Sequence, residues 1–367
     1  MSLKQSVQGG VWRGLAAAES LFRNRDVSLT DARNFLLLQY PAALGTAIHA
    51  TPLIPALRQA VPGCGIAVVA SGFAVDVFRG NPGVDRLIET PNPVKDLKGA
   101  IQGLRQQKPF GAESFVTITS TGGERTKVAL AAMLSGATDR VGFTVVPESY
   151  RVALQFDHSM SQIANNLRIV DALGYETRHF EPQIFFSEQD KAEAQRLLAL
   201  SGFDGGKPIA IFVTQTSVTQ RKSWRTDRFQ AAARFLHETY GTEIVFVGTA
   251  TESAAIEQLR NGLEFPTLSV AGQTKLPVLA AIMSLGTVGL SLDTGPMHIG
   301  RAVGLPMVIV APAWSPPVEW LPIGDERFHI LKNADMPTAT PDYVIDEVSV
   351  DEVVVGLTDL MTRYSTL

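Results

Sequence analysis

The chain has 367 residues, and at about 150 residues per domain that length predicts two domains. Hydrophobic residues at 45% against 19% charged supply material for sizeable cores and exclude a mainly disordered chain. A net charge of −4 offers no general basic surface to a nucleic-acid backbone, and the single cysteine, Cys64, excludes an internal disulfide or a cysteine-rich metal site.

Residues 1–33 form an N-terminal extension that is basic and aromatic, with Lys4, Trp12, Arg13, Phe22, Arg23 and Arg25, and it has no secretory signal pattern. A helix over Val11–Phe22 groups Val11, Leu15, Ala18 and Phe22 on one side, suited to packing on the protein or, as the alternative, to a membrane surface. Asn34–Tyr40 has the pattern of a buried strand. Ala47–Val61 is periodic enough for a helix despite Pro52 and Pro55. Ile66–Ala70 reads as a strand and Phe73–Arg79 as a short helix. Strands are expected at Asp85–Glu89, Ser114–Thr119 and Val141–Thr144, with helices near Lys95–Arg105 and Arg125–Leu134. After an irregular stretch from Pro147, helices are expected over Ser159–Leu173 and Asp190–Leu200, and Ser201–Lys207, rich in Gly, is the best linker.

The pattern then restarts. Strands at Pro208–Val213, Glu243–Val247, Thr287–Leu292 and Met307–Val310 alternate with helices at Thr226–Thr239, Glu252–Asn261, Leu276–Ser284 and Pro296–Val303, and Asp351–Arg363 closes the chain as a helix. Alternation of this kind predicts α/β domains with parallel sheets, here 34–200 and 201–345, followed by a C-terminal helix in 346–367. The longest uncharged stretch of note, Leu276–Leu292, is broken by Pro277 and small polar residues and falls short of a membrane span, so a cytoplasmic protein is expected.

Three strand ends carry residues with chemistry to offer. At Leu290–His298 a hydrophobic strand delivers Asp293, and a helix begins at once with Thr294, Gly295, Pro296, Met297 and His298; exposed N–H groups and the helix dipole suit phosphate there. The alternative is a joint in which Asp293 or Thr294 only caps the helix. Thr214, Thr216 and Ser217 follow the Pro208–Val213 strand, with Arg221 and Lys222 close behind as donors to a diphosphate. The first strand runs into Gln39–His49, which has only Gly45 in its loop and matches neither a dinucleotide fingerprint nor a Walker loop. The six histidines show no zinc spacing, and no G-x-S-x-G elbow occurs.

Taken together, LGTAIHATPLIPALRQAVPG at Leu44–Gly63, NPGVDRLIE at Asn81–Glu89, Ala137–Phe143, the Arg221–Trp224 loop, VGTATE at Val247–Glu252, SLDTGPMHIGRAVG at Ser291–Gly304 and APAWSPPVEWLPIG at Ala311–Gly324 resemble the lipopolysaccharide heptosyltransferase family. The resemblance implies an α/β GT-B architecture: two Rossmann-like parallel-sheet domains facing a central cleft, the first on the acceptor side and the second binding the nucleotide-sugar donor. It implies inverting transfer of a sugar, heptose from ADP-heptose, to a lipid-linked saccharide acceptor of the lipopolysaccharide type. No cofactor or metal is implied, and the place of action is the cytoplasmic face of the inner membrane. Asp293, Thr294 and Gly295 are expected to bind the donor diphosphate, followed by Pro296, Met297 and His298 in the family's helix. Lys222, with Arg221, is expected to neutralise the leaving group, Thr214, Thr216 and Ser217 to contact the donor, and Glu252 to recognise the ribose.

One position departs from the family. Where the family has Gly-Asp, with the Asp as general base, this chain has Gly45-Thr46, and a threonine hydroxyl takes no proton at neutral pH. A displaced base is therefore expected, Asp157 ahead of His49, with Asp157 adjacent to His158. The alternatives are a homologue that binds nucleotide sugars or acts as a scaffold without turnover, and a transferase of another sugar.

Overall fold

Buried apolar runs become strands in this chain, and the amphipathic segments between them become helices. The computed structural model describes residues 14–15, 18–19, 28–200, 202–203, 205–215, 221–333 and 335–365. Backbone contacts divide the chain into two units, Met1–Gln183 and Ile184–Leu367.

The first unit runs β1 (Asn34–Gln39), α1 (Leu44–Ala50), α2 (Leu53–Ala60), β2 (Gly65–Ala70), α3 (Phe73–Phe78), β3 (Arg86–Glu89), α4 (Leu97–Gln107), β4 (Val116–Thr119), α5 (Thr126–Met133), β5 (Asp139–Phe143), β6 (Val152–Leu154) and α6 (Gln162–Ala172). Its strands lie in the order β3-β2-β1-β4-β5-β6, and every pairing is parallel. Phe35, Leu36 and Leu37 of β1 are fully buried, because a central parallel strand is covered on both faces. The helix expected over Ala47–Val61 divides at Thr51–Pro52. Pro52 has no N–H to give to the Ile48 carbonyl, whereas Pro55 falls in the first turn of α2, where no donor is required. Thr51 stabilises the break by donating its hydroxyl to the Ile48 carbonyl at 2.8 Å and accepting the Gln183 N–H at 3.0 Å.

Of the helix expected over Val11–Phe22, Leu15 and Ala18 have helical backbone, while Lys4, Val11, Trp12, Arg13, Phe22, Arg23 and Arg25 lie outside the described residues. Glu19, beside Ala18, grips the fully buried guanidinium of Arg140 on β5 at 2.9 and 2.6 Å. This bidentate pair ties the N-terminal segment to its own sheet.

The second unit runs α7 (Glu188–Leu200), β7 (Ile209–Val213), α8 (Thr226–Tyr240), β8 (Glu243–Phe246), α9 (Ser253–Arg260), β9 (Leu268–Ser269), α10 (Leu276–Ser284), β10 (Val288–Leu292), α11 (Gly295–Val303), β11 (Met307–Val310), α12 (Pro317–Trp320), β12 (Phe328–Leu331) and α13 (Val350–Tyr364). Its strand order is β12-β11-β10-β7-β8-β9, again parallel throughout, so both sheets are doubly wound in the Rossmann sense. Helix α7, which precedes Ser201–Lys207, packs on α10 and belongs to this unit. Phe212 and Phe246 meet edge to face across β7 and β8, with Leu290, Val308 and Val310 in the same core. Ser349 and Glu352 cap α13 reciprocally, each side chain accepting the other's backbone N–H.

The alternating pattern locates every inner strand, but β6, β9, β12 and the single turn α12 are absent from the sequence reading. The three strands are sheet edges two to four residues long, too short for a periodicity to register.

Gly142 on β5 has φ +125°, and a Cβ there would lie 2.1 Å from the Thr119 carbonyl oxygen of β4. Gly142→Ala is expected to cost at least about 3 kcal/mol in urea unfolding. Gly136→Ala, with φ +85° and no heavy atom within 4 Å of the added Cβ, should lose only about 1 kcal/mol.

Candidate functional site

In the second sheet β7 and β10 are neighbours, but the chain leaves them in opposite directions, toward β8 and toward β11. Helices that diverge from adjacent parallel strands leave a crevice above the strands' carboxyl ends, where open α/β sheets take ligands. Two of the expected residues arrive there directly. Thr214 follows β7, its hydroxyl accepting from the Gln215 side chain at 3.4 Å, and Asp293 follows β10; both are buried.

Asp293 is held by Lys222. The ammonium nitrogen lies 2.7 Å from Asp293 Oδ2 and 3.2 Å from the Asp293 carbonyl, with 3% of the carboxylate side chain and 13% of the lysine exposed. The loop that presents Lys222 is anchored on each side. The Arg221 carbonyl accepts the Trp314 indole N–H at 2.9 Å, and the Arg221 guanidinium donates to the Ala339 carbonyl. Ser223 bridges to Val344, Trp224 donates its indole N–H to the Val348 carbonyl at 2.9 Å, and Arg228 donates to the same carbonyl. Arg221 adopts φ +51°, a left-handed conformation that costs a non-glycine residue about 1–2 kcal/mol and that these bonds hold in place. Lys222 Nζ also lies 5.7 Å from the centre of the Trp314 ring, a cation–π distance.

Helix α11 opens immediately after Asp293. Thr294 is its N-cap in extended backbone, but its hydroxyl makes no cap bond, and Thr294 Oγ1 is buried with no hydrogen-bond partner among the described residues. Gly295 and Pro296 form the first turn, and the Met297 N–H returns to the Thr294 carbonyl at 3.1 Å. Met297 is fully buried. His298 is buried beside the Trp320 ring, 5.8 Å between centres. Burial lowers the His298 pKa to about 4; Asp293 opposes that shift, and Arg301 and Lys222 add to it. The imidazole is therefore neutral at pH 7.

Glu252 lies in the next loop, after β8, as the N-cap of α9. One of its carboxylate oxygens accepts the Thr249 N–H at 2.7 Å, which fixes the loop that carries it. Gly272 packs against Ala250 of that loop, and its N–H donates to the Gly248 carbonyl at 3.0 Å. Thr216 and Ser217 lie outside the described residues. The structure thus brings Thr214, Lys222, Asp293, Thr294 and Gly295 to one strand-end crevice, with Glu252 one strand away and the Arg221 guanidinium turned to Ala339. Sequence reading missed Trp314, although it lies in the quoted APAWSPPVEW motif, because its contact with Lys222 exists only through the fold.

The three candidates for proton transfer lie in the first unit. Thr46 is buried in the first turn of α1. His49 is fully buried in the same helix, and its carbonyl accepts the Asn166 side chain at 3.0 Å. Asp157 is in an irregular turn where its Oδ1 accepts the Ser159 hydroxyl at 2.6 Å and the Ser159 N–H at 2.9 Å. Those two bonds hold its carboxyl below the usual carboxylate range. Among the described residues, no group of three or more His, Cys, Asp or Glu is placed to hold a metal ion, and no helix is long and apolar enough to cross a membrane.

Residues 127–342 match the profile of glycosyltransferase family 9 (heptosyltransferase). Lipopolysaccharide heptosyltransferase 3 of Escherichia coli (strain K12) is 23% identical over 153 residues, 41% of this chain and 44% of that relative, so this chain spans less than half the relative's length. Among solved structures, a glycosyl transferase family 9 protein from Veillonella parvula DSM 2008 superposes with a TM-score of 0.81 at 19% identity, over 90% of this chain and 98% of the other. The E. coli ADP-heptose lps heptosyltransferase II does so with a TM-score of 0.72 at 17% identity, over 90% and 99%. The two parallel six-stranded sheets are thus those of the expected GT-B fold.

Removing one partner of a buried ion pair leaves an uncompensated charge. In urea unfolding, Lys222→Ala and Asp293→Ala should each destabilise the chain, and the double variant should lose less than their sum by about 1–3 kcal/mol. His298 gives a second expectation. Its folded pKa of about 4 lies below the ordinary 6.5, so the unfolded chain binds its proton first as pH falls. The associated stability is complete above pH 6.5 and is lost on acidification toward pH 4, amounting to about 3 kcal/mol at most. Denaturation across that pH range should be flatter for His298→Gln than for the parent chain by this amount.

Proposed function

The chain belongs to glycosyltransferase family 9, and from that premise we propose that it transfers heptose from ADP-heptose, with inversion, to a hydroxyl of a lipopolysaccharide-type saccharide. The observation that carries the reading is the buried Lys222–Asp293 pair beside the N-terminus of α11, at the carboxyl end of β10. The chemistry of glycosyl transfer from a nucleoside diphosphate puts the developing negative charge on the departing diphosphate. A lysine and a helix start that stand ready without rearrangement stabilise that charge in the transition state.

A carboxylate repels a diphosphate, so Asp293 acts by holding Lys222 in place and by leading the chain into the N–H groups of Thr294 and Gly295. The Thr294 hydroxyl, buried and without a partner among the described residues, is available to donate to a phosphate oxygen. Thr214 adds a second hydroxyl at the switch point. Glu252, already ordered by Thr249, suits the paired hydroxyls of a ribose, and Trp314 limits where the Lys222 ammonium can go. The names of the similar proteins, two of them heptosyltransferases, support the choice of sugar. Work on a lipid-anchored acceptor at the inner face of the membrane belongs to the same reading.

The test is direct transfer. The purified chain, incubated with ADP-heptose or with a panel of other nucleotide sugars and a lipid-linked core saccharide, should yield a heptosylated product by mass spectrometry from ADP-heptose alone. Lys222→Ala should lower kcat by about 10²–10³-fold. Tight nucleotide-sugar binding with no product from any donor would overturn the enzymatic reading in favour of a binding or scaffold protein. Product from another donor would replace heptose as the sugar.

A further inference from the structure

Within the transferase reading, on which this inference rests, the acceptor hydroxyl must lose a proton, and the first unit contains the place to look for the group that takes it. Its sheet has its own switch point, where β1 and β4 lie side by side and the chain leaves them in opposite directions. The two loops that rise there are 40–46 and 120–126, and their sequences, YPAALGT and STGGERT, contain a single carboxylate, that of Glu124. We propose that Glu124 is the general base of the transfer reaction.

The geometry starts from Thr46. Its methyl group packs against Gly122 so closely that a Cβ added there would lie 2.5 Å from Thr46 Cγ2. Gly122 takes φ +78° and opens a tight turn in which the Gly123 N–H returns to the Ser120 carbonyl at 3.1 Å and the Arg125 N–H to the Gly123 carbonyl at 2.7 Å. Glu124 stands within that turn, half-buried, and its carboxylate accepts from the backbone N–H groups of Gly122 and of Glu124 itself. The same glycine therefore touches the threonine on α1 and holds the carboxylate. A base displaced from the helix to the facing loop remains at the same strand-end crevice.

Buried and half-buried side chains fix the loop against α1 and β1. Gln39 donates to the Ser120 hydroxyl at 3.0 Å, and Arg125 donates to the Tyr40 carbonyl at 3.3 Å. Asn166 of α6 takes the Thr121 N–H at 2.9 Å on its oxygen and gives its own N–H to the His49 carbonyl at 3.0 Å. The other candidates fit less well. The Asp157 carboxylate is engaged by Ser159, and His49 is enclosed in the core. Burial pushes the Glu124 carboxyl above the usual carboxylate range, against its two backbone bonds and Arg125, which makes it the stronger proton acceptor. The groups that face it are Arg125, on its own loop, and Tyr150, from the turn after β5. Tyr150 is buried, bonded to Thr119 at 2.7 Å and influenced by Arg140, and burial raises its pKa, so it stays neutral.

In the step itself the acceptor oxygen forms its bond to the anomeric carbon while the bond from that carbon to the diphosphate oxygen breaks. The electron pair leaves with the nucleoside diphosphate, and the hydroxyl proton passes to the Glu124 carboxylate.

The experiment compares the full chain with E124Q, D157N and the double variant T46D/E124Q, using transfer kinetics, ADP titration by calorimetry and thermal melting. E124Q should lose about 10²–10⁴-fold in kcat, with ADP affinity and melting temperature near those of the parent. The acidic limb of the parent's pH profile, lying above the ordinary carboxylate range as a raised carboxyl requires, should vanish with it. T46D/E124Q, with a carboxylate returned to the facing helix, should recover at least about tenfold of that loss. E124Q turning over at the parental rate with the same acidic limb overturns the proposal, as does a collapse of D157N while E124Q stays active. Parallel loss of ADP affinity and melting temperature in E124Q, with no recovery in T46D/E124Q, assigns Glu124 a structural role and also overturns it. Absence of transfer by the parent chain with every donor overturns the transferase reading itself, a result distinct from all of these.

Discussion

A parallel sheet can be wound outward from its centre in two directions, and where the winding reverses no connection covers the strand ends. That constraint organises both halves of this protein. In each sheet the reversal falls between the first strand of its unit and the fourth, β1 and β4 in one, β7 and β10 in the other. Thr46 and Glu124 at one reversal, and Thr214, Lys222 and Asp293 at the other, lie where helices part from neighbouring strand ends. The burial that makes β1 and β10 nearly continuous apolar runs is therefore also what sets Thr46, Glu124, Lys222 and Asp293 in position.

Overall charge conceals how these places work electrostatically. A chain of net charge −4 gains nothing from long-range attraction of anions, so the phosphate contact proposed above would draw on a few groups in a sheltered setting. Lys222 suits that role through its surroundings: Asp293 bonds it although it is largely buried, Trp314 lies along it, and the bonds of Arg221, Ser223 and Trp224 fix the loop beneath it. Holding the cation in advance removes the reorganisation that a mobile surface lysine undergoes when a ligand arrives. The neutral, buried His298 adds no positive charge, which leaves Lys222 and the helix start to define the field.

Much of this was legible in the sequence because it depends on local order. A hydrophobic strand followed at once by Asp-Thr-Gly-Pro can only be a strand-to-helix joint, and the structure has α11 beginning at Gly295. The inner strands were equally plain. Pro52 was visible as well, but periodicity on either side of it suggested one helix where the missing N–H forces two. What the sequence could not reveal was convergence between distant segments. Glu124 sits in a Gly-rich stretch with no pattern of its own, 78 positions after Thr46, and acquires meaning only when Gly122 packs on that threonine. Trp314 and Lys222, separated by 92 positions, are the same case. Asp157 and His158 looked promising as adjacent titratable residues, but adjacency in sequence carries no information about where a carboxylate's hydrogen bonds go, and here they go to Ser159.

The outermost strands, β3, β6, β9 and β12, each have only two to four residues, shorter than or equal to the strands they flank. An exposed sheet margin is a template on which another polypeptide can zip up through main-chain bonds, and its hazard grows with the number of unsatisfied groups in register. With so few in a row at any margin, neither sheet offers a run long enough to seed stacking between molecules. Chains at high local concentration can then crowd without passing into fibrous aggregates.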